Sequence, residues 1–250
     1  MSRKHRADQL LVARGLAQSR ERARALIMAG EVLHGTRRVA KAGEQLPPDA
    51  ELTLKARDHP WVSRGALKLD PALDTLGVDP SGTGVLDVGA STGGFTEVLL
   101  HRGAARVYAV DAGTNQLAWK LRRDPRVRVL ENTNARYLTA GQVPTPADGV
   151  VCDASFISLT TLLPAPLARA APGAWLIALI KPQFEAGRER LGAGGVVRDE
   201  DARRDACDTV RAWLDARPGW RTVTLMDSPV TGPRGNREVL LHAVHDPAAG

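Results

Sequence analysis

The sequence predicts an α/β protein in which a doubly wound parallel sheet follows a small basic module at the amino terminus. From residue 65 onwards, apolar segments typical of buried strands alternate with helical segments, as in a parallel sheet covered on both faces. A glycine-rich turn joins the first of these strands to the next helix. Residues 1–58 hold twelve basic and seven acidic residues, whereas the remaining chain holds 22 and 21.

Composition sets limits on the class of protein. The chain has 250 residues, of which 43% are hydrophobic and 25% charged, and this is the profile of an ordinary globular protein. The longest apolar run, Ala174 to Ile180, is far shorter than a membrane span. The two cysteines, Cys152 and Cys207, match no disulfide framework or metal-ligand spacing. We therefore expect a cytoplasmic protein without a bound metal or membrane association, and nothing implies a protein partner.

The first 58 residues predict a small domain of two helices and short strands. Ser19 is a suitable N-cap for a second helix that runs to Ala29, and Gly15 and Gly30 are placed to end the two helices. The expected helices are 7–14 and 19–29, and the expected strands are 32–35 and 51–55. The positive charge of this domain favours a polyanionic partner. Its candidate phosphate contacts are Arg3, Lys4, Arg6, Arg20 and Arg24.

A linker at 59–64 precedes the larger domain, 65–250. A helix over 65–76 comes first, and the predicted strands that follow are 84–88, 106–110, 127–131, 149–152 and 175–180. Helices are predicted between them at 94–102, 116–123 and 159–171. A helix over 199–217 leads to strands 222–226 and 237–244, which a short connection requires to pair antiparallel.

The glycine-rich turn marks a candidate cofactor site at the end of the first strand of this domain. Its spacing is not that of the dinucleotide fingerprint, and Asp87 inside the strand suits a ligand with a cationic amino group, such as S-adenosylmethionine. Asp111 closes the second strand, where a carboxylate can accept hydrogen bonds from ribose hydroxyls. The alternative is an ordinary strand–helix turn. The candidate cofactor contacts are Asp87, Gly89, Ala90, Ser91, Thr92, Gly93, Gly94, Phe95, Asp111, Asn134 and Asp153.

Charged residues next to apolar segments mark a second candidate site. Lys181 follows the apolar run, Asp153 ends another strand and Glu238 opens the last one, while Lys68 lies on the preceding helix. A lysine at the end of a buried strand is costly unless it is paired or neutral, so this set points to catalysis beside the cofactor. An ion-pair network that only caps the sheet is the alternative.

Several long motifs resemble those of a known family. They are Trp61-Val62-Ser63-Arg64-Gly65, residues 87–96, Ser155-Phe156-Ile157-Ser158-Leu159, Lys181-Pro182-Gln183-Phe184-Glu185, Gly194-Gly195-Val196-Val197 and Gly235-Asn236-Arg237-Glu238. The chain resembles, nearly end to end, the TlyA (hemolysin A-like) ribosomal RNA 2'-O-methyltransferases, whose catalytic domain is similar to the FtsJ type. The N-terminal stretch resembles the αL RNA-binding domain of the ribosomal S-four type. The chain departs from the family's usual motifs at two points. These are Thr114-Asn115, which follow the ribose-binding acid Asp111, and His34, which precedes Gly35.

The resemblance implies a Rossmann-like methyltransferase domain with a Lys68, Asp153, Lys181 and Glu238 tetrad. It further implies S-adenosylmethionine as cofactor and a ribose 2'-hydroxyl of ribosomal RNA, a cytidine in ribosomal subunits, as acceptor. Repulsion between the two lysines would lower the pKa of Lys181 and let it take a proton. Arg64 and Phe156 are further candidate RNA contacts, Phe156 by stacking on a base or, equally, by packing. The alternatives are a base-modifying enzyme, a non-catalytic RNA-binding protein and a membrane-lytic protein.

Overall fold

The computed structural model describes residues 4–17, 19–54, 59–187, 190–232 and 235–246, with the backbone alone at Ala29 and Ala193. The chain divides into two units, Met1–Pro60 and Trp61–Gly250. Among the described residues, no helix combines the length and the apolar character needed to cross a membrane.

The first unit consists of two helices and two small antiparallel sheets. Its elements are β1 (His5–Arg6), α1 (Ala7–Ala13), α2 (Arg20–Ala29), β2 (Val32–His34), β3 (Arg37–Arg38), β4 (Gln45–Leu46) and β5 (Leu52–Leu54). Strand β1 pairs with β4, and β2 lies between β3 and β5. The apolar faces of both helices pack into one core with residues such as Leu11, Ile27 and Val32.

The predicted caps of the second helix are confirmed. Ser19 Oγ accepts a hydrogen bond from the Arg22 backbone N–H at 3.1 Å, and Gly30 ends the helix with φ 74°. The sequence analysis missed β1, β3 and β4, since strands of two residues have too few positions to show an alternating pattern.

The second unit alternates strands and helices up to its last hairpin. Its elements are α3 (Ala66–Leu76), β6 (Gly84–Val88), α4 (Gly94–His101), β7 (Arg106–Val110), α5 (Trp119–Arg122), β8 (Val127–Leu130), β9 (Ala147–Cys152), α6 (Leu159–Leu162), α7 (Pro164–Leu167), β10 (Ala170–Ile180), α8 (Pro182–Glu185), α9 (Glu200–Asp215), β11 (Trp220–Asp227) and β12 (Val239–His245). Short 3-10 helices cover Ala135–Tyr137 and Ala193–Gly195.

Seven strands form one sheet in the order β11-β12-β10-β9-β6-β7-β8. Strands β6 to β10 run parallel, and β12 returns antiparallel to β10 with β11 antiparallel beside it. One apolar cluster joins α3 and α4 to one face, and another joins α6, α7 and α9 to the opposite face. The doubly wound α/β prediction is therefore confirmed, including the antiparallel final pair.

Two predicted helices differ from the observed ones. Residues 159–171 form two single-turn helices and then the start of β10, because Pro164 cannot donate a helical hydrogen bond and clashes with the preceding turn. In place of a helix over 116–123, only α5 forms. Glu131 accepts hydrogen bonds from the backbone N–H groups of residues 115, 116 and 117 at 2.7, 2.9 and 3.1 Å, which holds them in a loop.

Candidate active site

The four charged residues predicted from the sequence meet at the carboxyl edge of the sheet. Asp153 follows β9 and Lys181 follows β10, and Glu238 directly precedes β12, which runs in the opposite direction. Lys68 reaches the same point from α3. All four line one cleft of about 740 Å³.

Ion pairs connect the four side chains in a continuous chain. Lys181 Nζ lies 2.6 Å from Asp153 Oδ1, and Lys68 Nζ lies 3.1 Å from Asp153 Oδ2. Lys68 Nζ also lies 2.8 Å from Glu238 Oε2. Lys181 additionally donates to the backbone oxygen of Asp153 at 3.1 Å and to Ser155 Oγ at 2.9 Å. Asp153 therefore bridges the two lysines, and Lys68 bridges the two carboxylates.

Burial and the two carboxylates, more than repulsion from the other lysine, determine the pKa of Lys68. Burial lowers the pKa of Lys68, but the negative charges of Asp153 and Glu238 outweigh burial, so its pKa lies above the usual value. A lysine with a raised pKa keeps its proton at neutral pH. Lys68 thus contributes a fixed positive charge to the array.

Close backbone packing fixes the position of Glu238. Its side chain is buried, and a Cβ added at Gly232 would lie 2.6 Å from Glu238 Oε1. Glycine at 232 therefore leaves the space that the carboxylate occupies. No sequence pattern points to Gly232, because its role depends on the fold of the connection between β11 and β12, to which Glu238 also belongs.

The glycine-rich turn after β6 forms the adjoining wall of the cleft. Gly89 has φ 81°, and an added Cβ there would lie 2.8 Å from Ala154 Cα. Of the turn residues predicted as cofactor contacts, Gly89, Ala90, Ser91, Thr92, Gly94 and Phe95 line the cleft. Gly93, with φ 98°, instead faces the side chains of Leu117 and Leu121.

Asp87 is fully buried beneath this turn. Its Oδ2 accepts a hydrogen bond from Thr96 Oγ1 at 2.6 Å, while Oδ1 has no hydrogen-bond partner among the described residues. Burial raises the pKa of Asp87 to about 7. A buried carboxyl oxygen without a donor suits a cationic or hydrogen-bonding ligand group.

The other two predicted cofactor contacts have local partners. Asp111 accepts hydrogen bonds from the backbone N–H groups of Ser91 at 2.8 Å and Gly113 at 2.7 Å. Asp111 thereby ties the glycine-rich turn to the end of β7. Asn134 is exposed and caps the following 3-10 helix through the Arg136 N–H at 3.1 Å. Like Asp87, neither residue is among those that line the cleft.

Two predicted RNA contacts stand at the cleft. Arg64 lines it, and so does Phe156, whose side chain is 87% exposed and whose backbone has φ 67°. The Phe156 ring lies 5.2 Å from the ring of Phe184, with the planes tilted by 50°. An exposed aromatic residue in a rarely adopted conformation is a candidate stacking surface.

The remaining predicted RNA contacts belong to the first unit. Lys4 is exposed, and Arg3 lies outside the described residues. The side chains of Arg6, Arg20 and Arg24 all contact Asp8. The sequence analysis missed this convergence on one carboxylate.

Two residues of the recognised motifs acquire roles from the geometry. Ser155 is a direct partner of Lys181, although only Phe156 of that motif was singled out. Glu185 accepts hydrogen bonds from Ser158 Oγ at 2.6 Å and the Leu159 N–H at 2.8 Å, which links the loop after β9 to the segment after β10. Their position within long motifs was the signal that could have identified them. Within the described ranges, no three His, Cys, Asp or Glu side chains group as a metal site.

Comparison with known proteins places this geometry in a family. Residues 61–244 match the FtsJ-like methyltransferases, and residues 6–52 match the S4 domain. The 16S/23S rRNA (cytidine-2'-O)-methyltransferase TlyA of Mycobacterium tuberculosis is 48% identical over 96% of this chain and 90% of that protein. Hemolysin A of Brachyspira hyodysenteriae is 34% identical over 96% of this chain and 99% of its own.

A solved structure agrees with the sequence comparisons. A protein from Streptococcus thermophilus, named as a candidate hemolysin, is 42% identical, with a TM-score of 0.75 over 98% of this chain and 90% of that chain. The chain belongs to the FtsJ-like methyltransferases and, within them, to the group of TlyA and hemolysin A, with an S4 domain at its amino terminus.

Proposed function

We propose that the protein transfers a methyl group from S-adenosylmethionine to a ribose 2'-hydroxyl, that of a cytidine, in the RNA of ribosomal subunits. The observation that carries this proposal is the ion-paired array of Lys68, Asp153, Lys181 and Glu238 beside the glycine-rich turn. The cytidine-2'-O specificity in the name of the M. tuberculosis relative supports the choice of acceptor.

The cofactor would occupy the part of the cleft next to the glycine-rich turn, and it supplies an electrophilic methyl group when bound. Gly89 and Gly94 let the turn pack closely against Ala154 and Ser63, and this packing fixes the wall against which the cofactor would lie. The unpartnered Oδ1 of Asp87 fits a cationic amino group above it. We assign Asp111 to the ribose end of the same site and Asn134 to its periphery, with Ser91 and Thr92 along the wall.

Lys181 and Asp153 would act directly on the acceptor hydroxyl. Lys181 Nζ would orient the oxygen, and the fixed positive charge of Lys68 favours the negative charge that develops on it. The bound cofactor would supply the methyl group to this oxygen, and the Lys181–Asp153 pair would take the proton that leaves the hydroxyl. The 2.6 Å contact between Lys181 Nζ and Asp153 Oδ1 keeps both groups within reach of one hydroxyl. Glu238 holds Lys68 in place.

The basic first unit would dock RNA. We propose residues 1–58 as the RNA-binding domain, 59–64 as a linker and 65–250 as the catalytic domain of a cytoplasmic enzyme. Lys4, Arg6, Arg20 and Arg24 would contact phosphates, together with Arg3, without reading the base sequence. In the cleft, Arg64 would contact the backbone of the target strand and Phe156 would stack on its base.

The test is methylation of separated small and large ribosomal subunits that lack the modification. We expect labelled methyl incorporation that depends on both S-adenosylmethionine and Lys181, with mass spectrometry locating the methyl group on a ribose. A methylated base would replace the proposed acceptor with a nucleobase. RNA binding without incorporation would contradict the enzymatic proposal, and lysis of erythrocytes without incorporation would favour the membrane-lytic alternative.

A further inference from the structure

Asp8 in the first unit is a buried carboxylate surrounded by three guanidinium groups. Arg6 binds it with two hydrogen bonds, of 2.9 Å to Oδ1 and 3.0 Å to Oδ2. Arg20 and Arg24 each lie 3.4 Å from Oδ2. Asp8 itself has no exposed surface.

The three arginines arrive from separate elements. Arg6 belongs to β1, whereas Arg20 and Arg24 stand one turn apart on α2, and Asp8 is in the first turn of α1. Guanidinium groups repel one another and lack acceptors, so the carboxylate between them is what holds these three together.

The cluster stays open towards solvent. The side chains of Arg6, Arg20 and Arg24 are 38%, 51% and 55% exposed, so each keeps donors that Asp8 does not use. The hydrogen bond from Arg6 lowers the pKa of Asp8 to about 2, so the carboxylate stays ionised near neutral pH. Three guanidinium charges around one carboxylate leave a net positive charge, which suits an anion with several oxygen acceptors.

We propose that Asp8 is a positioning residue that assembles Arg6, Arg20 and Arg24 into one binding site for the phosphates of an RNA backbone. The inference rests on the RNA docking in the proposed function and names the residue that organises it. Asp8 itself does not touch the RNA. It sets the direction of guanidinium groups that do, and planar guanidinium groups bind phosphate best when they are held in a fixed direction.

The proposal predicts a change of affinity opposite in sign to that expected from net charge. Asp8→Asn makes the protein more positive, and added positive charge by itself strengthens RNA binding. If Asp8 orients the arginines, the substitution weakens binding instead, on the order of tenfold, and flattens the dependence of affinity on salt. Asp49→Asn is the matched control, because it removes an acidic group from an exposed position of the same unit.

The experiment measures binding of the full chain to unmodified ribosomal subunits over a series of salt concentrations, without S-adenosylmethionine. We expect weaker binding for Asp8→Asn, and unchanged or stronger binding for Asp49→Asn. Equal affinities of the two variants would overturn the proposal, as would a wild-type chain that does not bind either subunit.

A second pair of variants separates positioning from a general loss of structure. Arg20→Lys with Arg24→Lys preserves charge but removes two planar guanidinium groups, and we expect weaker binding from it. In this background Asp8→Asn should have less effect than in the wild type, because two of the three guanidinium groups that it orients are gone. An undiminished effect would mean that Asp8 only stabilises the fold and would refute the proposal. Since no methyl donor is present, loss of catalysis and loss of docking remain distinguishable.

Discussion

Lys181 Nζ lies 2.6 Å from Oδ1 of Asp153, and the same ammonium group donates to the backbone oxygen of Asp153 at 3.1 Å. Two contacts to one residue fix the ammonium group directly above the end of β9. The other oxygen of the carboxylate contacts Lys68. Asp153 therefore sets the positions of both lysines, and a change at Lys181 removes the member of the pair that faces Ser155.

We expect Lys181→Ala to lower the methylation rate by roughly 10²–10⁴-fold, the usual contribution of a positioned acid–base group. Cofactor affinity should stay close to the wild-type value, because Lys181 lies on a different strand end from the glycine-rich turn. Single-turnover methylation and calorimetric titration with S-adenosylmethionine measure the two effects. Lys120→Ala, at an exposed position, serves as the control. A Lys181→Ala enzyme with near-normal turnover would refute its assignment.

Gly232→Ala should reduce catalysis without touching any charged group. The added methyl would lie 2.6 Å from Glu238 Oε1, so the carboxylate and its partner Lys68 must shift. A displacement of ~1 Å in a catalytic array can cost about 10²-fold in rate. Gly141→Ala is the matched control, since its added methyl would lie 3.8 Å from Thr139 Oγ1, an ordinary contact distance. Equal kcat values for the two variants would show that the position of Glu238 is unimportant.

Local sequence patterns were sufficient to predict the positions of most strands in the larger sheet. The strands at 84–88 and 106–110 match the prediction, because each is an apolar run that ends at a turn residue. The prediction of one helix over 159–171 was wrong. The apolar spacing of this segment is helical, but its two prolines limit it to two short helices. The paired two-residue strands of the first unit depend on contacts between distant segments and leave no periodic signal.

Asp153 and Lys181 could be predicted because a charged residue directly after a buried strand is conspicuous in the sequence. Glu238 at the start of a strand and Lys68 on a helix carry a weaker signal, which the family's motifs reinforce. The geometry brings Lys68, Asp153, Lys181 and Glu238 together, while their catalytic role stays a proposal. Gly232 and Asp8 could not be found in this way. Asp8 gathers arginines from two different elements and Gly232 lies against the Glu238 carboxylate, and only the folded chain shows these contacts.

The raised pKa of Asp87 predicts that stability without cofactor depends on pH. Its pKa rises from 3.8 to about 7 on folding, so folding takes up a proton between these values. This stabilisation is fully present below the unfolded pKa and is lost as pH rises through the folded pKa. Between about pH 5 and about pH 8, the wild type should therefore lose roughly 2–3 kcal/mol of unfolding free energy relative to Asp87→Asn.

Urea unfolding of both proteins at the two pH values measures this difference, and the comparison cancels other titrating groups. If the unfolding free energies of the two proteins changed with pH in parallel, Asp87 would be ionised in the free protein and the prediction would be wrong. Asp87→Asn should also weaken binding of S-adenosylmethionine, whose amino group would lose a charged partner.

Glu185 should control catalysis through the loop after β9. It accepts hydrogen bonds from Ser158 Oγ and the Leu159 N–H, and this loop also carries Ser155. Glu185→Ala leaves both donors without this acceptor, which should cost about 1–3 kcal/mol of stability. We expect a fall in kcat with it, because Ser155 loses its fixed position beside Lys181. Glu185→Gln should behave nearly as the wild type, since its amide can accept from Leu159 and donate to Ser158. Steady-state methylation assays measure the effect of each variant on kcat, and urea unfolding measures its effect on stability. A destabilised Glu185→Ala enzyme with wild-type kcat would limit Glu185 to holding the fold.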